Sequence, residues 1–155
     1  MLLAEHEAPT PLYRGLLFQG AVPSSFVKEL WANFDVIVSL ISLGPTLRGT
    51  PAGKLHLIYP FDDDAIDGAD MWALKHLASQ VAWAVREDKR VLVHCAAGLN
   101  RSGLICAFAL LQLTDWSSDK TIAHIQKLRP MSLSNPYFTT YLRSLRSGWD
   151  YSHGV

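Results

Sequence analysis

Residues 91–113 run VLVHCAAGLNRSGLICAFALLQL. A β-branched apolar run, a short stretch broken by Gly98 and an apolar segment long enough for helix predict a buried strand, a tight turn and a buried helix. The polar residues of this stretch fall at the turn: His94, Cys95, Asn100, Arg101 and Ser102. A helix start leaves N–H groups unpaired and carries the positive end of the dipole, so the turn suits an anion. The amides of Ala96, Ala97, Gly98, Leu99, Asn100 and Arg101 can converge on one concavity, as in backbone anion nests. Arg101 adds a planar, permanently charged fork that fits two oxygens of a tetrahedral oxyanion.

Cys95 is placed at the floor of that concavity. A free thiol has a pKa of about 8.5, and surroundings of this kind bring it to roughly 3.5–7.5, so a standing thiolate nucleophile is expected. Ser102 can donate a hydrogen bond to the sulfur and ease its departure from a covalent phosphate. His94 is expected to orient the loop through backbone around the cysteine rather than to act as an acid. A phosphoester also needs its leaving oxygen protonated, help typically worth about 10²–10⁴ in rate. The stretch YPFDDDAIDGAD, residues 59–70, offers Asp62, Asp63 and Asp64 for that task.

Working outward, apolar and β-branched runs predict strands over 12–18, 35–41, 55–59 and 90–94. Helices are predicted over 24–33, with Phe26, Leu30 and Trp31 inward, and over 70–87, with Asp67 and Asp70 as caps. Others follow over 104–113 and over 117–128, where Pro130 stops the helix. A last one starts at Asn135 and Pro136 and buries Phe138, Leu142 and Leu145. The order predicts an α/β fold: a single domain over residues 1–155, with a central, mostly parallel, twisted sheet of four to five strands flanked by helices. The phosphate loop lies between a central strand and a buried helix.

The chain has 155 residues, 49% of them apolar, and its 14 basic and 14 acidic side chains cancel. No global field recruits nucleic acid or an anionic membrane. Two cysteines, Cys95 and Cys106, make no disulfide framework, and Cys106 reads as buried structure. The apolar stretches fall short of a bilayer span, and MLLAEHEAPTP lacks the pattern of a signal peptide, so a cytoplasmic protein is expected. His56, His76 and His124 lack ligand spacing, so neither a metal nor another cofactor is expected. The tryptophans Trp31, Trp72, Trp83, Trp116 and Trp149 read as packing residues, since no basic stripe accompanies them. The Pro- and Gly-rich residues 44–54 predict a loop. Its portion from Leu47 to Lys54, and the segment from Trp149 onward, are candidates for substrate or partner contacts.

HCAAGLNRSG is similar to the HCxxGxxR[ST] signature of cysteine-dependent protein phosphatases, and the chain resembles a small dual-specificity phosphatase. The resemblance extends to LYRG, FDVIVSL, the upstream acid loop and the closing RPMSLSNPYFTTYL. It implies that Cys95 forms a cysteinyl-phosphate while Arg101 and the amides of residues 96–101 hold the equatorial oxygens. It implies an aspartate acting first as acid and then as base. Asp63 occupies the aspartate position of a P-x-x-D loop counted from Pro60, with Asp62 and Asp64 as alternatives. Asn135 inherits the family's role of bracing the phosphate loop. No KNRY-like loop is present to deepen the pocket, so a shallow cleft is expected. The implied substrates are phosphoproteins or peptides carrying phosphotyrosine, with phosphoserine and phosphothreonine as further candidates.

Several competing readings were weighed on the residues. GLNRSG approaches the GFNRTG of RNA 5′-triphosphatases, but the neutral chain and the acid loop stand against that branch, and with it against a nucleic-acid partner. Inositol-lipid phosphatases often carry lysines inside the loop, where this chain has uncharged residues. A non-catalytic phosphoprotein-binding domain would be expected to lose the cysteine, the arginine or the acid, and all are present.

Overall fold

The computed structural model describes residues 8–44 and 49–145. Leu47 and the segment from Trp149 onward lie outside them. The elements are β1 (Thr10–Tyr13), β2 (Leu17–Gly20), α1 (Lys28–Asn33), β3 (Val36–Ser39), β4 (Leu55–Ile58), α2 (Gly68–Arg86), β5 (Val91–His94), α3 (Arg101–Leu113), α4 (Ser118–Leu128) and α5 (Pro136–Ser144). The five strands form one sheet in the order β1-β2-β5-β3-β4. All neighbours are parallel except the β1–β2 pair. The expected α/β architecture with a mostly parallel sheet is therefore the one observed.

Two expectations need correction. The single strand over 12–18 is a hairpin, because Arg14 and Gly15 both take left-handed backbone (φ 53° and 64°) and Leu16 N–H closes the turn on Tyr13 O at 2.9 Å. An unbroken apolar pattern concealed a turn, and the first strand is antiparallel as a result. The helix over 24–33 begins only at Lys28: Val27 is extended, and Phe26 is drawn instead onto the rings of His56 and His94, at 5.1 and 5.7 Å. Other ends shift by a few residues, the largest change being α3, which starts at Arg101 rather than 104.

Alternation along the strands separates two apolar layers. Leu17, Val36, Val38, Val91 and Val93 face the main core, with Leu74, Val81, Leu104, Phe108, Ile125, Phe138 and Leu142 from the helices. Ile37 and Leu92 face the opposite side, where Trp31 of α1 and Phe34 cover them. α3 is buried from Ser102 to Leu111, so it runs through the centre of the domain. Asp67, Ser117 and Asn135 cap α2, α4 and α5 by accepting backbone N–H bonds from Asp70, Lys120 and Tyr137.

In register, Gly20, His94 and Ser39 lie side by side at the carboxyl ends of β2, β5 and β3. Loops that follow those ends therefore meet at one edge of the sheet, the place where open α/β sheets hold ligands. Phe108 is fully buried and meets Tyr141 edge-to-face at 6.0 Å. Phe108→Ala is expected to remove about 3–5 kcal/mol of stability, measured by urea unfolding.

Candidate active site

Each carbonyl of residues 96–100 is held from outside the turn. Val22 N–H donates to Ala96 O at 3.1 Å, Leu133 N–H to Leu99 O at 3.1 Å and Leu104 N–H to Asn100 O at 2.9 Å. Arg129 donates through Nε to Gly98 O at 2.6 Å and through Nη2 to Ala97 O at 3.4 Å. Gln19 Nε2 donates to Gly98 O at 3.0 Å and lies 3.3 Å from Leu99 O. With the carbonyls anchored outward, the amides of the same peptides are left for the inner side of the turn. Gly98 has φ +73°, and a Cβ there would collide with the Gly20 carbonyl group and the Ala21 nitrogen, so only glycine fits.

Cys95 is 2% exposed, and its Sγ lies 3.4 Å from Ser102 Oγ. The thiol donates in this pair; with a thiolate, the hydroxyl becomes the donor. Arg101 donates through Nη1 to Phe61 O at 3.2 Å, which links the phosphate loop to the acid loop. Its Nε is buried with no partner among the described residues, an unmet donor that an oxyanion would satisfy. Arg101 also lines a cleft of about 400 Å³ with Ser42, Tyr59, Phe61, Asp62 and Asp70. Cys95 does not line it. Arg129 carries a second cation to the loop. Burial pulls its pKa down while the charge of Cys95 pulls it up, and Nη1 is anchored on Thr10 Oγ1 at 3.0 Å.

The three aspartates have different surroundings. Asp63 accepts from Asn100 Nδ2 at 3.0 Å on one oxygen and from Asn135 Nδ2 at 2.7 Å on the other. Asp64 accepts the N–H of the next residue, Ala65, at 2.7 Å, and Asp62 faces the Arg101 cleft. Asn135 reaches the phosphate loop through its backbone N–H, which donates to Asn100 Oδ1 at 3.0 Å.

His94 is fully buried, with Nδ1 3.2 Å from Cys95 O. A carbonyl only accepts, so Nδ1 carries the proton and Nε2 accepts from the Ser39 hydroxyl beside it. Ser39 Oγ then accepts from His56 Nε2 at 2.7 Å, and a chain of fixed tautomers runs from β4 to the cysteine peptide. Desolvation brings the His94 pKa down to about 4, and burial lowers that of His56.

The structure thus brings His94, Cys95, residues 96–102, Asp63 and Asn135 to one edge of the sheet, and leaves Asp64 in a local turn. Cys106 is fully buried in α3 and burial raises its thiol pKa. Trp31 is buried, whereas Trp72 and Trp83 are 54% and 63% exposed. Sequence reasoning missed Gln19, Ser39, His56 and Arg129. Gln19 and Ser39 interrupt otherwise apolar strands, and that is the signal that could have found them.

Residues 25–147 match the family described as dual specificity phosphatase, catalytic domain, and the chain belongs to that family. It is 28% identical over 120 residues to the tyrosine-protein phosphatase yvh1 of Schizosaccharomyces pombe, covering 77% of this chain and 36% of the relative. It is 31% identical over 90 residues to the protein phosphatase Slingshot homolog 3 of Rattus norvegicus, covering 57% of this chain and 13% of the relative. The chain therefore spans about a third or less of these relatives. Among solved structures, DUSP15 superposes with a TM-score of 0.75 at 22% identity, over 95% of this chain and 91% of that one. Human DUSP28 gives 0.72 at 24% identity, over 87% and 90%. At that identity the likeness is one of fold.

The buried imidazole makes stability depend on pH. The unfolded chain binds a proton near 6.5 and folded His94 only near 4, so stability falls as pH drops through that window and levels off below it. The loss attributable to His94 is about 3 kcal/mol, and urea unfolding of wild type and His94→Asn across the window should show the slope flattened in the variant.

Proposed function

We propose that the chain is a phosphomonoester hydrolase acting on phosphoproteins, a dual-specificity or tyrosine phosphatase, and that residues 1–155 form one catalytic domain. The observation that carries this reading is the outward anchoring of the carbonyls of residues 96–100 around Cys95, beside the unmet buried donor of Arg101. Amides left on the inner side of such a turn, next to a guanidinium, fit a tetrahedral dianion and stabilise charge as it spreads over the equatorial oxygens.

Cys95 Sγ attacks phosphorus as the bond from phosphorus to the leaving oxygen breaks, and Asp63 gives its proton to that oxygen. Each carboxylate oxygen of Asp63 accepts one N–H bond from an asparagine and keeps a lone pair free for that proton. In the second step a water loses a proton to Asp63 and attacks phosphorus. The S–P bond breaks, inorganic phosphate leaves, and the sulfur departs as a thiolate that Ser102 stabilises from 3.4 Å. Ala96 to Arg101 bind the phosphate, while His94 and Asn135 support the loop. Asp62 and Asp64 are the alternative acids.

No metal or cofactor enters these steps, and a thiolate nucleophile suits the reducing cytoplasm. Asn100, the residue that likens the loop to RNA 5′-triphosphatases, is engaged here by Asp63, which favours the acid-dependent phosphatase.

Cys95→Ser should abolish turnover of p-nitrophenyl phosphate, with EDTA without effect on the wild type. Asp63→Asn should lower kcat by about 10²-fold, while Asp62→Asn and Asp64→Asn stay within a few-fold. A collapse at Asp62 instead would move the acid to the residue beside Arg101, and turnover surviving in Cys95→Ser would remove the covalent mechanism. Comparing a phosphotyrosine peptide, a phosphothreonine peptide and triphosphate-ended RNA then fixes the substrate class.

A further inference from the structure

We infer that Asn100 is a positioning residue that ties the general acid Asp63 to the phosphate loop, so that acid and nucleophile are held by one rigid turn. The inference rests on the reading of Asp63 as the acid. Asn100 stands at the N-cap of α3, yet its side chain makes no capping bond there. Its Oδ1 accepts from Asn135 N–H at 3.0 Å, with Ser134 Oγ at 3.3 Å, and its Nδ2 donates to Asp63 Oδ2 at 3.0 Å.

A backbone N–H only donates, so it fixes which end of the Asn100 amide is oxygen and aims the nitrogen at the carboxylate. Asn135 is fixed in the same way: its Oδ1 accepts Tyr137 N–H at 2.9 Å, and its Nδ2 meets Asp63 Oδ1 at 2.7 Å. Asn100, Asp63 and Asn135 therefore close a ring in which both carboxylate oxygens face oriented donors. Asp63 is otherwise an exposed side chain on a connecting loop. The ring exchanges that freedom for one location, set by the residue next to Arg101. Positioning of this kind acts on proton delivery to the leaving oxygen, because errors of about 1 Å in a reacting group cost up to 10²-fold.

Proton delivery matters most when the leaving oxygen is strongly basic, which gives a readout that loss of general structure does not move. The quantity is kcat/KM, which reports the steps through S–P bond formation, measured for phenyl phosphate and for p-nitrophenyl phosphate. Asn100→Ala should lower kcat/KM about tenfold on phenyl phosphate and less than about threefold on p-nitrophenyl phosphate. In an Asp63→Asn background, adding Asn100→Ala should leave the ratio between the two substrates unchanged.

Equal losses on both substrates in Asn100→Ala, alongside a steepened leaving-group dependence in Asp63→Asn, would overturn the positioning role and leave the proposed function standing. An unsteepened dependence in Asp63→Asn would overturn both. Thermal melting checks folding of each variant. Should Asn100→Ala fail to fold, Asn100→Ser keeps a hydroxyl at the helix start while falling short of Asp63, and the same two substrates decide.

Discussion

A peptide turn binds an anion only if its N–H groups agree on a direction, and five consecutive carbonyls pulled the other way enforce that agreement here. Each of residues 96–100 has a donor on its oxygen from a separate part of the chain: Ala21–Val22 behind β2, the Gln19 side chain, Arg129, Leu133 and the first turn of α3. The cradle is therefore a property of the whole sheet edge and not of the ten residues of the motif. Gly98 is the one point where backbone from β2 comes so near that no side chain is admitted.

Two polar systems sit on opposite faces of the sheet beneath that turn. On the helix side, Gln19 bridges Gly98, Leu99, Ser102 and Ser132 from a position with no exposure. On the α1 side, His94, Ser39 and His56 form a hydrogen-bonded line shielded by Phe26 and Trp31. Apolar residues would fill either space at lower desolvation cost. These polar groups instead fix the direction of one loop and the orientation of one cysteine peptide.

Local pattern made much of this legible. The strand, turn and helix around HCAAGLNRSG follow from composition and periodicity, and the buried character of α3 follows from its apolar residues on every side. Boundaries went wrong where tertiary contacts overrode propensity. Arg14–Gly15 breaks an apolar run that looks continuous, and Phe26 leaves a helix it could have joined to stack on histidines far away in sequence. Gln19 and Arg129 escaped for the same reason: what they do depends on residues 79 and 31 positions away. The triplet of aspartates was ambiguous in sequence because three identical side chains differ only in what surrounds them.

The first strand has one further implication. Thr10 anchors Arg129 across 119 positions, and Leu12 O accepts from His124 across 112. Closing loops of that length comes late in folding and slows it, since entropy is lost before contacts return it. The phosphate site can thus exist only after nearly all of the polypeptide has collapsed. A ribosome-bound or proteolysed fragment would carry the signature letters without the pocket they spell.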